Sequence, residues 1–309
     1  MYIVIVNPES GSGKALQLLN NIQQDRYFQQ KNCRSFITKY AGHAEEIAEQ
    51  TAEIYKEVIE GVLVVGGDGT LHEVMNGLHR YPLVPVAFIP SGSGNDFHRG
   101  IHNTHKEIAL FRKIVQDPTV HNLRFGAYLI NKKRALHKRL FVNSIGFGLD
   151  GSIVTTASQL KKNIWLRRLH LLSLTYLLSF FKVLPKYKPI HFELELDGKP
   201  VSIKEAALLT VTNHPYYGRG MKIAPTADLT RSSFKVILIT PMAKWKIFLL
   251  FFSVFIGKHT KLKEVHEFDA ESVVIRSNSS IPFQVDGEAG RCLHCRIEKS
   301  DSYYKVLSG

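Results

Sequence analysis

Val62-Leu63-Val64-Val65-Gly66-Gly67-Asp68-Gly69-Thr70-Leu71 is the stretch on which the reading of this chain turns. Four consecutive aliphatic residues with no alternation predict a strand buried on both faces, as in a parallel sheet. Leu71, Val74 and Leu78 follow at helical spacing. The glycine run therefore sits at a strand-to-helix junction, on the carboxyl edge of the sheet where ligands collect. Glycine lets backbone amides approach an anion with no Cβ in the way. The start of the next helix adds partial positive charge. A carboxylate at the centre of such a loop makes chemical sense if a Mg²⁺ ion lies between it and phosphate oxygens, which makes Asp68 the candidate metal ligand. A plain turn needs one Asp-Gly pair, not three glycines and an aspartate in five residues.

Working outward, Tyr2–Val6 predicts a first buried strand, and its lack of a basic flank and cleavage site argues against a signal peptide. It leads into Asn7-Pro8-Glu9-Ser10-Gly11-Ser12-Gly13 and a helix from Lys14 to about Gln24, with Leu16, Leu19 and Ile22 facing inward. Cys33–Thr38 predicts a second strand. Ala44–Ile59 predicts a helix carrying Ile47, Ala48, Ile54 and Val58, stopped by Gly61. Pro85–Ile89 predicts another strand, followed by Pro90-Ser91-Gly92-Ser93-Gly94-Asn95-Asp96. This second glycine loop offers hydroxyl, amide and carboxylate groups, and two such loops at neighbouring strand ends can clasp one nucleotide. Neither is a Walker A motif: the nearest candidate has Pro8 in place of its first glycine and Ala15 in place of its Ser or Thr. Nor is there a G-x-G-x-x-G fingerprint.

The pattern changes after about Leu123. Short runs dominate, among them Phe141–Ile145, His191–Leu196, Ala206–Thr212, Phe234–Ile239, Ser272–Arg276, Cys292–Lys299 and Tyr303–Leu307, with turn signals at Asp197-Gly198 and Asp286-Gly287. They predict an antiparallel sandwich. The expected domains are 1–123, completed by a C-terminal strand within about 296–309, and 124–295. Two apolar stretches with basic flanks, Trp165–Leu184 and Ile247–Ile256, interrupt the second half. They read equally as core helices and as surfaces that dock on anionic lipid.

The 309 residues are 44% hydrophobic and 22% charged, which excludes a disordered chain. Lys and Arg outnumber Asp and Glu by 40 to 27, giving +13 and favouring an anionic partner. No recognisable nucleic-acid module accompanies that charge. Three cysteines are too few for a disulfide framework, so a reducing cytoplasm is expected. Cys292-Leu293-His294-Cys295 lacks the second half of a zinc site, and in a regular strand its two thiols would point to opposite faces. The basic cluster Lys132, Lys133, Arg134, Lys138 and Arg139 reads as a solvated hairpin or a membrane-facing loop.

The order Asn7-Pro8…Gly11…Gly13-Lys14, Gly66-Gly67-Asp68-Gly69-Thr70, Pro90…Gly92-Ser93-Gly94-Asn95-Asp96 and Asp286-Gly287-Glu288 resembles the catalytic domain of diacylglycerol kinases and the related sphingosine and bacterial lipid kinases. The middle segment Gly218–Pro225 resembles them too. The likeness implies an NAD kinase- and phosphofructokinase-like α/β domain plus the sandwich, and a peripheral, cytoplasmic enzyme that moves the γ-phosphate of ATP onto a lipid hydroxyl. Diacylglycerol would become phosphatidic acid. It implies ATP and Mg²⁺ as cofactors, with Asp68 at the magnesium–phosphate centre. Gly66, Gly67, Gly69, Thr70, Gly92, Ser93 and Asn95 would line the nucleotide site, with Thr38 near the adenosine. Asn7, Gly11 and Gly13 would shape the adjoining loop. Asp286 and Glu288 would serve the acceptor hydroxyl, one as base and one as its support, with Glu288 favoured as the base. The implied partners are ATP, a lipid and an anionic membrane surface; a homodimer stays open.

Two departures from the family pattern stand out. Ser93 replaces a usual Thr, and the hydroxyl survives. Arg231-Ser232 stands where bacterial members carry an Asp-Gly pair that helps hold a structural magnesium ion. An arginine cannot ligate a cation, so that site is expected to be absent or filled by the guanidinium. Two other functions stay open: a soluble-metabolite kinase such as an NAD kinase, and a nucleotide- or lipid-binding regulator without turnover.

Overall fold

Runs of aliphatic residues buried on both faces build the first sheet. A computed structural model of the protein describes residues 1–92, 94–131, 138–161 and 175–309. Ser93, the basic run at 132–134 and the first part of the 165–184 stretch lie outside the described residues. The chain divides into two units, Met1–Phe125 with Ser300–Gly309, and Gly126–Lys299.

In the first unit the order is β1 (Tyr2–Val6), α1 (Lys14–Gln24), α2 (Arg26–Gln30), β2 (Arg34–Ile37), α3 (His43–Tyr55), β3 (Gly61–Gly66), α4 (Asp68–Gly77), β4 (Val86–Pro90), α5 (Asp96–Gly100), α6 (Glu107–Gln116) and β5 (Thr119–Leu123). The sheet order is β2-β1-β3-β4, then the C-terminal strand Tyr304–Ser308, then β5. Every pairing is parallel except that of β5 with the C-terminal strand. Val4, Val6, Leu63, Val65, Ala87 and Ile89 share one core with Leu18, Leu19 and Ile22 of α1 and Leu110, Phe111 and Ile114 of α6. Each such side chain withdrawn from water contributes about 1.5–3 kcal/mol. This packing fixes the strand ends from which the glycine loops leave.

The second unit comprises β6 (Gly126–Ile130), β7 (Arg139–Phe141), β8 (Ser144–Gly148), α7 (Leu149–Lys161), α8 (Thr175–Val183), β9 (Ile190–His191), β10 (Glu193–Leu196), β11 (Lys199–Val201), β12 (Glu205–Ala206), β13 (Leu208–Thr212), β14 (Tyr216–Tyr217), β15 (Met221–Lys222), β16 (Phe234–Ile239), α9 (Lys244–Phe255), β17 (Val265–Ala270), β18 (Ser272–Val285) and β19 (Glu288–Lys299). Its large sheet runs β17-β16-β13-β8-β18-β19-β6-β7, with β10 and β11 branching from β18. The pairings in it are antiparallel. The expected fold class, a mostly parallel α/β sheet plus an antiparallel unit, is the one found.

Several local expectations need correction. Leu16, Ile54 and Val58 are exposed, and α1 instead buries Ala15, Leu18, Leu19 and Ile22. The third helix ends at Tyr55, well before Gly61. Gly61 opens β3, where a Cβ would crowd the Tyr2 ring at 3.1 Å. The run Phe141–Ile145 is split between β7 and β8 at Val142-Asn143. Cys292 and Cys295 do not face opposite ways: both are buried in one core. The ladder between β18 and β19 shifts register between Arg276 and Ile281, which breaks the alternation of the strand. Burial pushes the Cys292 thiol up to about 12 and that of Cys295 well up too, so neither is poised to react.

Candidate active site

Three loops meet in the first unit. Asn7 ties the first to the second: its N–H donates to the Val65 carbonyl at 3.0 Å and its Nδ2 to Thr70 Oγ1 at 3.1 Å. Gly11 adopts φ +63°, and a Cβ there would overlap the Ser91 carbonyl oxygen of the third loop. The second and third loops are joined by the Gly66 carbonyl, which accepts from Ser91 N at 2.8 Å and Gly92 N at 3.2 Å. A Cβ on Gly92 would stand 2.9 Å from the Gly67 Cα, so only glycine permits this approach.

Asp68 begins α4, and its carboxylate makes bonds that the sequence did not reveal. Its Oδ2 accepts from Asp96 N at 3.2 Å and its Oδ1 from Phe97 N at 3.1 Å, which caps α5 and locks the third loop to the second. Accepting backbone N–H groups does not remove a carboxylate's capacity to ligate a cation, since each oxygen has more than one acceptor site. Thr38 is buried at the end of β2, with its N–H on the Val6 carbonyl at 2.9 Å. Asn95 holds the third loop by donating from Nδ2 to the Gly92 carbonyl at 2.9 Å. A side chain on Gly13 or Gly69 would meet open space.

The third loop carries two unpartnered polar atoms, one hydroxyl that can donate to an anion and one amide oxygen that can accept from water or ligate a cation. Ser91 Oγ and Asn95 Oδ1 are buried with no hydrogen-bond partner among the described residues, and such groups call for a ligand or water. Among the described residues no group of three or more His, Cys, Asp or Glu side chains is set to hold a metal. A Mg²⁺ ion at Asp68 would therefore take its other ligands from phosphate and water, which is its usual habit.

In the second unit the two late carboxylates stand in different surroundings. Asp286 and Gly287, at φ +47° and +92°, form the two-residue hairpin turn between β18 and β19. The Asp286 carboxylate accepts three backbone N–H groups, from Val142 at 2.7 Å, Asn143 at 2.8 Å and Ser144 at 3.0 Å. It braces the connection between β7 and β8. Glu288 opens β19 with its side chain exposed and no hydrogen bond or ion pair to it among the described residues. Near Arg231 the chain closes on itself: Asp228 Oδ1 accepts from Thr230 N at 2.9 Å, and Arg231 is exposed.

Sequence reasoning missed Asp150. It is fully buried, receives Tyr217 Oη at 2.7 Å and Gln284 Nε2 at 3.0 Å, and burial raises its carboxyl to about 6. The available signal was a lone charge in the stretch from Phe141 to Ile153, with Gly146 placed so that any Cβ would overlap its Oδ2. His214 is likewise buried, with Nε2 2.8 Å from Asn143 Oδ1, and burial lowers its imidazole to about 4.

Among solved structures, a diacylglycerol kinase from Bacillus anthracis superposes over the whole chain and 96% of its own length, with a TM-score of 0.69 and 21% identity. An NAD kinase from Archaeoglobus fulgidus in complex with ATP superposes over 99% of this chain and 93% of its own, with a TM-score of 0.52 and 14% identity. The fold is therefore that of the NAD kinase-like proteins. Residues 1–123 match the diacylglycerol kinase catalytic domain, and residues 143–303 match the YegS C-terminal NAD kinase beta sandwich-like domain. A Bacillus subtilis protein named "Putative lipid kinase YtlR" is 31% identical over 99% of this chain and 98% of its own. The diacylglycerol kinase of Staphylococcus saprophyticus is 26% identical over 93% and 88%. The chain belongs to the diacylglycerol kinase catalytic-domain family, with a YegS-type C-terminal domain.

Proposed function

We propose that the protein is an ATP- and Mg²⁺-dependent kinase that phosphorylates the hydroxyl of a membrane lipid, with diacylglycerol as acceptor and phosphatidic acid as product. One observation carries the reading: the chain that builds the glycine cradle around Asp68 also carries an exposed, unengaged carboxylate, Glu288, beside a braced one, Asp286. The backbone of residues 7–13, 66–70, 90–92 and 94–96 holds the triphosphate. The ion, when bound, supplies charge neutralisation at the β- and γ-phosphates. Phosphoryl transfer asks mainly for alignment and electrostatic stabilisation. Glu288 takes the proton as the acceptor oxygen bonds to the γ-phosphorus and the bond to ADP breaks. General-base help of this kind contributes roughly 10²–10⁴-fold.

The lipid acceptor is supported by α8 and α9. Ile247, Leu250, Phe251 and Val254 line the inner stripe of α9. Trp245, Leu249, Phe252 and Ile256 form an outer stripe, 63%, 56%, 48% and 65% exposed. Phe248 connects that stripe to the exposed Phe181 of α8 at a ring distance of 6.0 Å. Exposed lysines at 182, 186, 188, 258, 261 and 263 flank the two helices in sequence. One face of α9 lies in the core, and the exposed face is the one we assign to a bilayer. Each lysine near an anionic surface contributes roughly 1 kcal/mol. Among the described residues no helix is long and apolar enough to cross a membrane.

The test is transfer of label from γ-labelled ATP to acceptors in anionic vesicles: diacylglycerol, a sphingoid base, phosphatidylglycerol and a polyprenol, with NAD as the soluble control. Label is expected in the lipid phase, chiefly in phosphatidic acid. Label in NAD, or in no acceptor, overturns the proposal.

A further inference from the structure

The turn that carries Glu288 is also held from inside the second unit, by a line of buried polar side chains. Gly287 N donates to Gln284 Oε1 at 2.8 Å, and Gln284 Nε2 donates to Asp150 Oδ2 at 3.0 Å. Tyr217 Oη donates to Asp150 Oδ1 at 2.7 Å, and the hydroxyls of Tyr217 and Tyr176 are 2.5 Å apart. Gln284 and Asp150 are 2% and 0% exposed, so water does not compete for these groups. A buried amide without partners is costly, yet no step of phosphoryl transfer requires one here.

The donors and acceptors leave one arrangement. A backbone N–H must face an oxygen, so the Gln284 amide is oriented with Oε1 toward Gly287 and Nε2 inward. The inward group must then face an acceptor, which the Asp150 carboxylate supplies. Gly146 leaves the space in which that carboxylate sits. The three bonds to Asp286 fix one residue of the turn; the bond from Gly287 fixes the other.

We propose that Gln284 and Asp150 are positioning residues that set the direction in which Glu288 leaves the turn. This rests on Glu288 acting as the base. They do not touch the reacting atoms; they remove the freedom of the Gly287 peptide that would let the Glu288 backbone rotate. Small misplacement of a reacting group costs up to about a hundredfold in rate.

Reciprocal exchange tests the wiring. In Asp150→Asn the new amide keeps its oxygen for Gln284 Nε2 and donates to Tyr217 Oη, whose proton turns to Tyr176, so the discriminating single variant is Gln284→Glu, in which two carboxylates face each other. Gln284→Glu should lower kcat by about tenfold or more, with KM for ATP unchanged. The double variant Asp150→Asn/Gln284→Glu restores every partner. The new amide at position 150 donates to the new carboxylate at position 284, which still accepts from Gly287 N, and Tyr217 still donates to position 150. It should recover most of kcat. In a Glu288→Ala background, Gln284→Glu should not slow the residual rate further. Melting temperature is followed throughout, so that loss of fold is separated from loss of rate. A Gln284→Glu variant that folds and turns over like wild type, a double variant no better than Gln284→Glu, or additive losses with Glu288→Ala each overturn the positioning role. If Glu288→Ala itself keeps wild-type turnover, the assignment of the base has failed instead, and the two failures are distinct.

Discussion

The cradle of the first unit and the late turn of the second are built in opposite ways. In the first unit the cradle is three loops, each a short run of consecutive residues, and glycine at 11 and 92 lets their backbones touch. In the second unit the turn at 286–288 is held by residues from 142–144, 150, 217 and 284, which meet only when the sheet has formed. A site of the first kind depends on local backbone geometry and tolerates little change in glycine. A site of the second kind depends on satisfied buried polar groups, and its loss shows in stability as well as in rate.

That contrast can be broken most forcefully at Asp286. Replacing it with Ala leaves three backbone N–H groups unpaired, at about 1–3 kcal/mol for each that water cannot reach. A loss of several kcal/mol in denaturant unfolding is expected, together with loss of activity. A variant as stable as wild type would show that the brace is not structural.

A smaller effect is expected from pH. The buried Asp150 carboxyl titrates near 6 in the folded chain, above its ordinary value of 3.8. Between those values the folded state holds a proton that the unfolded state releases, so this group's contribution falls as pH rises through the window. The span corresponds to a change on the order of 3 kcal/mol. His98 and His214, both lowered to about 4 by burial, act the other way and cost stability as pH falls below about 6.5. They are common to wild type and Asp150→Asn, so the difference between the two isolates Asp150. The advantage of wild type over the variant should shrink from about pH 4 to about pH 6.5 and then level off. A flat or rising difference would contradict the assignment.

The smallest effect sharpens the comparison from the other side. Gly11→Ala meets the Ser91 carbonyl at a φ that L-residues rarely adopt. KM for ATP should rise by about tenfold, roughly 1.4 kcal/mol, with a loss of about 1 kcal/mol or more in unfolding. Loss of global stability without a change in KM would place Gly11 outside the nucleotide loop.

Legibility followed the same division. The fold class could be read because strand runs, helical spacing and glycine loops are local signals. Gly66–Thr70 and Pro90–Asp96 announced themselves for that reason. The capping bonds of Asp68 to α5 cross 28 residues, and those of Gln284 to Asp150 cross 134. No spacing rule reveals such partners. Periodicity failed where an apolar residue served no core: Ile54 and Val58 fit a helical stripe, yet both are exposed and α3 ends at Tyr55. Gly61 looked like a helix stop and is instead a site of close packing against Tyr2.

Glu288 offers the most direct test. Transfer from γ-labelled ATP to diacylglycerol in anionic vesicles should be about 10²–10⁴-fold slower in Glu288→Ala than in wild type, while ATP affinity and melting temperature stay the same. Wild-type turnover in that variant would contradict the account.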